Sequence, residues 1–235
     1  MAGPDELGTV VLAGIVGSTA YGLASEQSDV DRIGFFAAPP LSLLGLDSPA
    51  LSRVTTEPDV AMHEVGKAAR LLLAGNPTVT EGLWLPEDLY QTRTALGEEL
   101  IDIRAAFLSA RRVREAHLGY ADQQLRRLIN REQRAPSPAD ADRTAKHARH
   151  LKRLVDQGFQ LYTTGTMSVR LADPQRCLAF GRAVAEDPES ARSFLERART
   201  RFDEAHTALP AEPDRARVQD WLLRVRTACW LTTTG

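Results

Sequence analysis

Two carboxylates, Asp29 and Asp31, flank a single valine in "GIVGSTAYGLASEQSDVDRIGFF", the stretch from Gly14 to Phe36. On an extended strand, residues i and i+2 share a face, so the two acids project together. Like charges so placed repel each other, and a divalent cation relieves the repulsion. Carboxylate oxygens suit Mg²⁺, which takes one or two of them together with substrate phosphates. Earlier in the same stretch, Gly17-Ser18 closes an apolar run. Backbone N–H groups at a glycine turn bind anions, and the Ser18 hydroxyl adds a donor. One segment could thus hold a phosphate chain and the cation that neutralises it, as phosphoryl and nucleotidyl transfer require. Each piece alone is common, since Asp-x-Asp more often marks a turn or a cap. Their order and spacing make them informative.

These residues need elements to position them. "TVVLAGIV" (9–16) reads as a buried strand ending at Gly17, and Ser18 to Leu23 as one or two helical turns. "ASEQS" reads as a loop and "DVDRIGFFAAP" as a second strand, stopped by Pro39-Pro40. "VTTEPDVAMH" (54–63) reads as a third strand, with Pro58 at an edge or bulge. From His63 the period changes: Val65, Ala68, Ala69, Leu72 and Leu73 form a helical stripe that Gly75 stops. Asn76-Pro77 then starts a short helix as cap and first residue. Helical patterns follow over 96–108, 110–133, 140–164, 174–185, 188–208 and 213–231, with "RAPSPAD" (134–140) as one break. The expected fold is α+β: an α/β domain over 1–95 and a helical domain over 96–235.

Composition is that of an ordinary globular chain, 43% hydrophobic and 26% charged. No apolar run approaches the roughly 20 residues of a membrane span, and the acidic N-terminus does not read as a signal peptide. Cys177 and Cys229 lie far apart and suit a reducing, cytoplasmic setting. The net charge of -2 hides an asymmetry. Residues 1–103 carry 5 Lys and Arg against 15 Asp and Glu, whereas 104–154 carry 13 against 5. The basic segment suits a polyanion such as RNA or a triphosphate; a solvated face is the plain alternative.

"GSTAYGLASEQSDVDRIGFF" resembles the signature of DNA polymerase β-type nucleotidyltransferases: Gly-Ser, a spacer, then Asp-x-Asp on a strand. Its "AYG" and "SDVDRIGFF" are similar to the predicted RNA-repair-pathway, ligase-associated nucleotidyltransferase family. So are "HEVGKAARLLLAGNPTVTEGLWLP" (63–86), "FLSARRVREAHLGYADQQLRRL" (107–128) and "KHARHLKRLVDQGFQLYTTGTMSVRL" (146–171). The resemblance covers about residues 9–171 and leaves 172–235 unassigned. It implies a small mixed sheet flanked by helices, followed by a helical domain. Gly17 and Ser18 would bind the β- and γ-phosphates of a nucleoside triphosphate. Asp29 and Asp31 would hold two Mg²⁺ (or Mn²⁺) ions. A third acid belongs on a neighbouring strand; Asp59 is the first choice, with Glu57 and Glu64 as rivals.

Lys146, His150 and Arg153 lie at i, i+4 and i+7 and share a helix face. That face could grip a triphosphate or an acceptor backbone, and a solvated stripe explains it equally well. Zinc is a poor reading of His147 and His150, which lack a third ligand at suitable spacing. Arg111, Arg112, Arg126 and Arg127 could attract RNA, without the aromatic platform that reads single strands. Asn76 and Glu81 read as structural, through capping and a bond to the same turn. Tyr21 could stack on a base, but packing over the turn is the favoured reading. Trp84, Trp221 and Trp230 read as core.

The function these residues imply is transfer of a nucleoside monophosphate from an NTP to a hydroxyl, with an RNA end as candidate acceptor. A protein side chain or a small molecule is a further acceptor. The alternative is a non-catalytic nucleotide sensor or antitoxin-like binding protein that keeps the fold. A third reading, RNA binding with incidental acids, requires no Mg²⁺.

Overall fold

A computed structural model describes residues 8–26, 28–46, 49–132 and 138–233. In chain order the elements are β1 (Thr9–Ile15), α1 (Gly17–Tyr21), β2 (Arg32–Ala37), β3 (Ser52–Thr56), β4 (Asp59–Glu64), α2 (Val65–Leu73), α3 (Pro77–Glu81), β5 (Tyr90–Arg93), α4 (Ala95–Asp102), α5 (Ala110–Glu132), α6 (Pro138–Thr164), α7 (Pro174–Glu186), α8 (Glu189–Glu204) and α9 (Arg215–Thr233). The architecture is α+β, with two compact units. The first comprises residues 1–74, 78–108 and 212–235; the second, 75–77 and 109–211.

The first unit is built on one mixed sheet in the order β3-β4-β2-β1-β5. β1 runs antiparallel to β2 and β5, β2 runs parallel to β4, and β3 runs antiparallel to β4. The central β2 buries Ile33, Phe35 and Phe36 on both faces, which is why its sequence is nearly continuous in apolar residues. α2 begins where Glu64 folds back: its Oε2 accepts from the N–H groups of Gly66 (2.8 Å) and Lys67 (3.1 Å). The helical stripe is then buried through Val65, Ala68, Ala69 and Leu72. α9 completes this unit. Trp221 is fully buried, and its indole N–H donates to the Leu96 carbonyl at 3.0 Å.

The second unit is helical. α5 to α8 share a core that includes Leu125, Leu128, Leu151, Val155, Leu195 and Phe202. Phe159 and Tyr162 meet the Phe202 ring edge-on, each with centroids 5.3 Å apart. Among the described residues no helix is long and apolar enough to cross a membrane.

Several expectations change at this level. Residues 54–63 are not one strand: the chain reverses at Glu57-Pro58, making a hairpin of β3 and β4. Proline has no N–H for a ladder, so the pairing breaks there. β2 starts at Arg32, so Asp29 and Asp31 precede the strand rather than lie on it. β5 was not foreseen; its four residues carry too little pattern to stand out. Trp230 is 39% exposed and not a core residue. The break expected over 134–140 falls partly on 133–137, outside the described residues.

Truncating Trp221 to alanine should cost about 3–5 kcal/mol, read as a lower urea midpoint by circular dichroism. An unchanged midpoint would show that α9 adds nothing to the core of the first unit.

Candidate active site

The site begins with a backbone constraint. β1 ends at Ile15, and the Val16 N–H donates to the Asp31 carbonyl at 2.9 Å. This bond ties the turn after β1 to the residue that leads into β2. Gly17 follows with φ +70, a conformation that favours glycine. A Cβ placed on Gly17 would lie 1.7 Å from Oδ2 of Asp31 and 2.9 Å from its Cβ. The Asp31 side chain therefore rests directly against the α-carbon of Gly17. No other residue type leaves room for it.

The neighbouring chain is held by short-range bonds. Ser25 and Ser28 bond to each other: Ser25 N–H donates to Ser28 Oγ at 2.9 Å, and Ser28 N–H to the Ser25 carbonyl at 3.0 Å. Asp29 emerges from this turn exposed, and Asp31 is half-buried. Between them, the Val30 carbonyl accepts from Arg32 Nη1 at 3.3 Å, while Arg32 Nε donates to Gln91 Oε1 at 3.1 Å. Arg32 thus steadies the acidic segment, a role its sequence position did not announce. Ser18 is half-buried in α1, which ends at Gly22 with φ +74.

Register relates the acids of β4 to Asp31. β2 and β4 run parallel with Arg32 beside Val60. One step back along each chain come Asp31 and Asp59, at the same end of the sheet; Asp59 is exposed. Glu57 sits in the turn just before it. Glu64 is at the far end of β4, roughly 16 Å along the strand, and its carboxylate caps α2. Among the described residues no three His, Cys, Asp or Glu side chains stand together as a metal-holding group. A Mg²⁺ ion takes one or two carboxylates and draws its remaining ligands from phosphates and water.

Lys146, His150 and Arg153 belong to α6 of the second unit. Their shared face runs from exposed Lys146 through half-buried His150 to buried Arg153. Arg153 Nη1 donates to Gln157 Oε1 at 2.7 Å. Gln157 in turn donates to the carbonyls of Ser168 (3.3 Å) and Val169 (3.4 Å). These bonds give Arg153 a folding role whatever else it does. His147 Nδ1 pairs with Gln124 Oε1 at 2.9 Å. Burial, then the charges of Arg153, His147, Arg127 and Lys146, push His150 down to about 3. Arg111, Arg112, Arg126 and Arg127 are exposed on α5.

Glu81 does not serve the turn at Asn76. It is 2% exposed, and its Oε2 accepts from the Tyr21 hydroxyl at 2.6 Å. The Asn76 amide donates to Tyr120 Oη at 2.7 Å. A contact spanning 60 residues has no local signature. The sequence signals that did exist were the polar Tyr21 in the glycine turn and the lone acid of "TVTEGLWL".

His117 is buried, with Nδ1 at 2.9 Å from the Val113 carbonyl, and burial pushes its pKa down to about 4. The folded chain thus binds fewer protons than the unfolded one between about pH 4 and the ordinary 6.5. Stability from this group is complete above pH 6.5 and falls as the pH drops toward 4. His117→Gln should flatten that part of the stability profile, measured by urea titration at each pH. An equal slope in variant and wild type would contradict the assignment.

The profile of the RNA repair pathway DNA polymerase beta family matches residues 5–173. No curated protein matches the chain. The chain belongs to the RNA repair pathway DNA polymerase beta family, a family of polymerase beta-like nucleotidyltransferases.

Proposed function

We propose that this member of the family moves a nucleoside monophosphate from an NTP to the hydroxyl of an RNA end. The observation that carries this reading is the seat of the Asp31 carboxylate against Gly17. It brings the phosphate-binding turn and the acidic segment into contact, as nucleotidyl transfer requires.

In the reaction, the acceptor oxygen bonds to the α-phosphorus and the bond to the β,γ-phosphate breaks, releasing pyrophosphate. Gly17 and Ser18 hold the β- and γ-phosphates through backbone N–H groups and the Ser18 hydroxyl. Asp29 and Asp31 would hold Mg²⁺ or Mn²⁺. When bound, the ion supplies charge neutralisation at the phosphates. Asp59, at the Asp31 end of the sheet, would join Asp29 and Asp31 as the third metal-holding acid and ease loss of the acceptor hydroxyl's proton. In the second unit, Lys146, the exposed end of the face it shares with His150 and Arg153, binds phosphate of the RNA. The excess of basic residues over 104–154 supports a polyanionic acceptor. A cytoplasmic location accords with RNA as the acceptor.

A second reading has one observation in its favour. No three-acid cluster is assembled among the described residues, which suits a nucleotide sensor or antitoxin-like protein that binds without transfer.

Incubation with each α-³²P-labelled NTP, Mg²⁺ and total RNA separates the two. Label should pass to RNA with wild type and fall at least about a hundredfold with Asp31→Asn. Transfer that survives Asp31→Asn contradicts the mechanism. Nucleotide binding with no transfer to any acceptor favours the sensor.

A further inference from the structure

α1 is five residues long. Isolated helices shorter than about 12–15 residues are marginal in water, so its orientation must come from outside contacts. One contact is at its start, where the Asp31 carboxylate lies against Gly17. Another is at its end, where the Tyr21 hydroxyl donates to Glu81, beside the fully buried Ala20. Gly17 and Tyr21 stand at i and i+4, along one side of the helix.

Glu81 is itself anchored. It ends α3, and the next residue, Gly82, packs on β2. A Cβ there would lie 3.1 Å from Cζ of Phe35 and 3.3 Å from Cγ2 of Ile33. Ile33 and Phe35 share a face of β2, which Asp31 precedes directly in the chain. The contacts therefore close a ring. They run from Asp31 to Gly17, along α1 to Tyr21, across to Glu81 and Gly82, onto Phe35 and Ile33, and back along the chain to Asp31.

The geometry points to Tyr21 and Glu81 as the positioning pair of the nucleotide turn. The pair sets the angle of α1 and so aims Gly17 and Ser18 at the triphosphate, an inference that rests on the nucleotidyltransferase reading above. Filling space does not call for a carboxylate. An apolar pair of similar shape packs without the cost of burying a polar group. What the polar pair adds is direction. A 2.6 Å O–H···O bond is at the short length of charge-assisted bonds and fixes an angle, whereas apolar contact is non-directional.

Three variants test this: Tyr21→Phe, Glu81→Gln and the double variant Tyr21→Phe/Glu81→Leu. The readouts are the thermal midpoint, amide exchange over Gly17–Gly22, and the Kd for α,β-methylene-ATP with Mg²⁺. Glu81→Gln keeps an acceptor and should show the mildest effect. The double variant should recover most of the stability lost by Tyr21→Phe. It should nevertheless exchange faster over Gly17–Gly22 and bind the analogue about tenfold more weakly, the scale of one lost hydrogen bond. A double variant that regains both stability and wild-type exchange would overturn the proposal, because packing alone would then hold the turn. So would wild-type affinity in that variant. A wild type that binds no nucleotide contradicts the nucleotidyltransferase reading instead. Amide exchange, which needs no ligand, then decides the positioning role by itself.

Discussion

The contact between the Asp31 carboxylate and the α-carbon of Gly17 is the constraint on which the site depends. It exists because Gly17 lacks a side chain and sits at φ +70. It is held in place by the bond from the Val16 N–H to the Asp31 carbonyl. The sheet does the rest. With β1 and β2 paired from Thr9↔Ala37 to Ile15↔Arg32, the end of one strand and the start of the next must meet. The glycine turn and the acids are adjacent because an antiparallel pair brings them there.

Much of this was legible in the sequence because it is local. The apolar run of β1, the Gly17-Ser18 turn, the polar loop and the apolar run of β2 all lie within Thr9–Ala37. Within that span chain order sets the turn after one strand and the acids before the next, and the antiparallel pairing of β1 and β2 brings them together. The helices of the second unit were legible for the same reason, since each carries its own period. Other features depend on partners distant in sequence. Trp221 meets Leu96 across 125 residues, and nothing in the pattern of α9 names the first unit as its home. The 54–63 stretch misled because a β-rich composition with one proline suits both a bulged strand and a tight hairpin. The four residues of β5 are too few to carry a pattern.

Residue type and residue place also separate at the acids. Asp59 and Glu64 are both carboxylates on β4, and type alone cannot rank them. Register sets Asp59 level with Asp31, while Glu64 is spent on capping α2. Arg153 shows the reverse case. It was singled out for a basic face, yet it is buried and bonded to Gln157, which reaches the Ser168–Val169 backbone. The helical face that begins at exposed Lys146 thus ends inside the fold of its own unit, so the exposed residues of that face and of α5 are the ones open to a polyanion.

The central claim is that Gly17 and the Asp29–Asp31 segment together form the seat of a metal-bound nucleotide. The most direct measurement is paramagnetic broadening of backbone amide signals by Mn²⁺ in the presence of α,β-methylene-ATP. The signals of Gly17, Ser18, Asp29 and Asp31 should broaden first and together, with nucleotide needed for the full effect. Bound Mn²⁺ and nucleotide that leave these four signals sharp while broadening another region would contradict it.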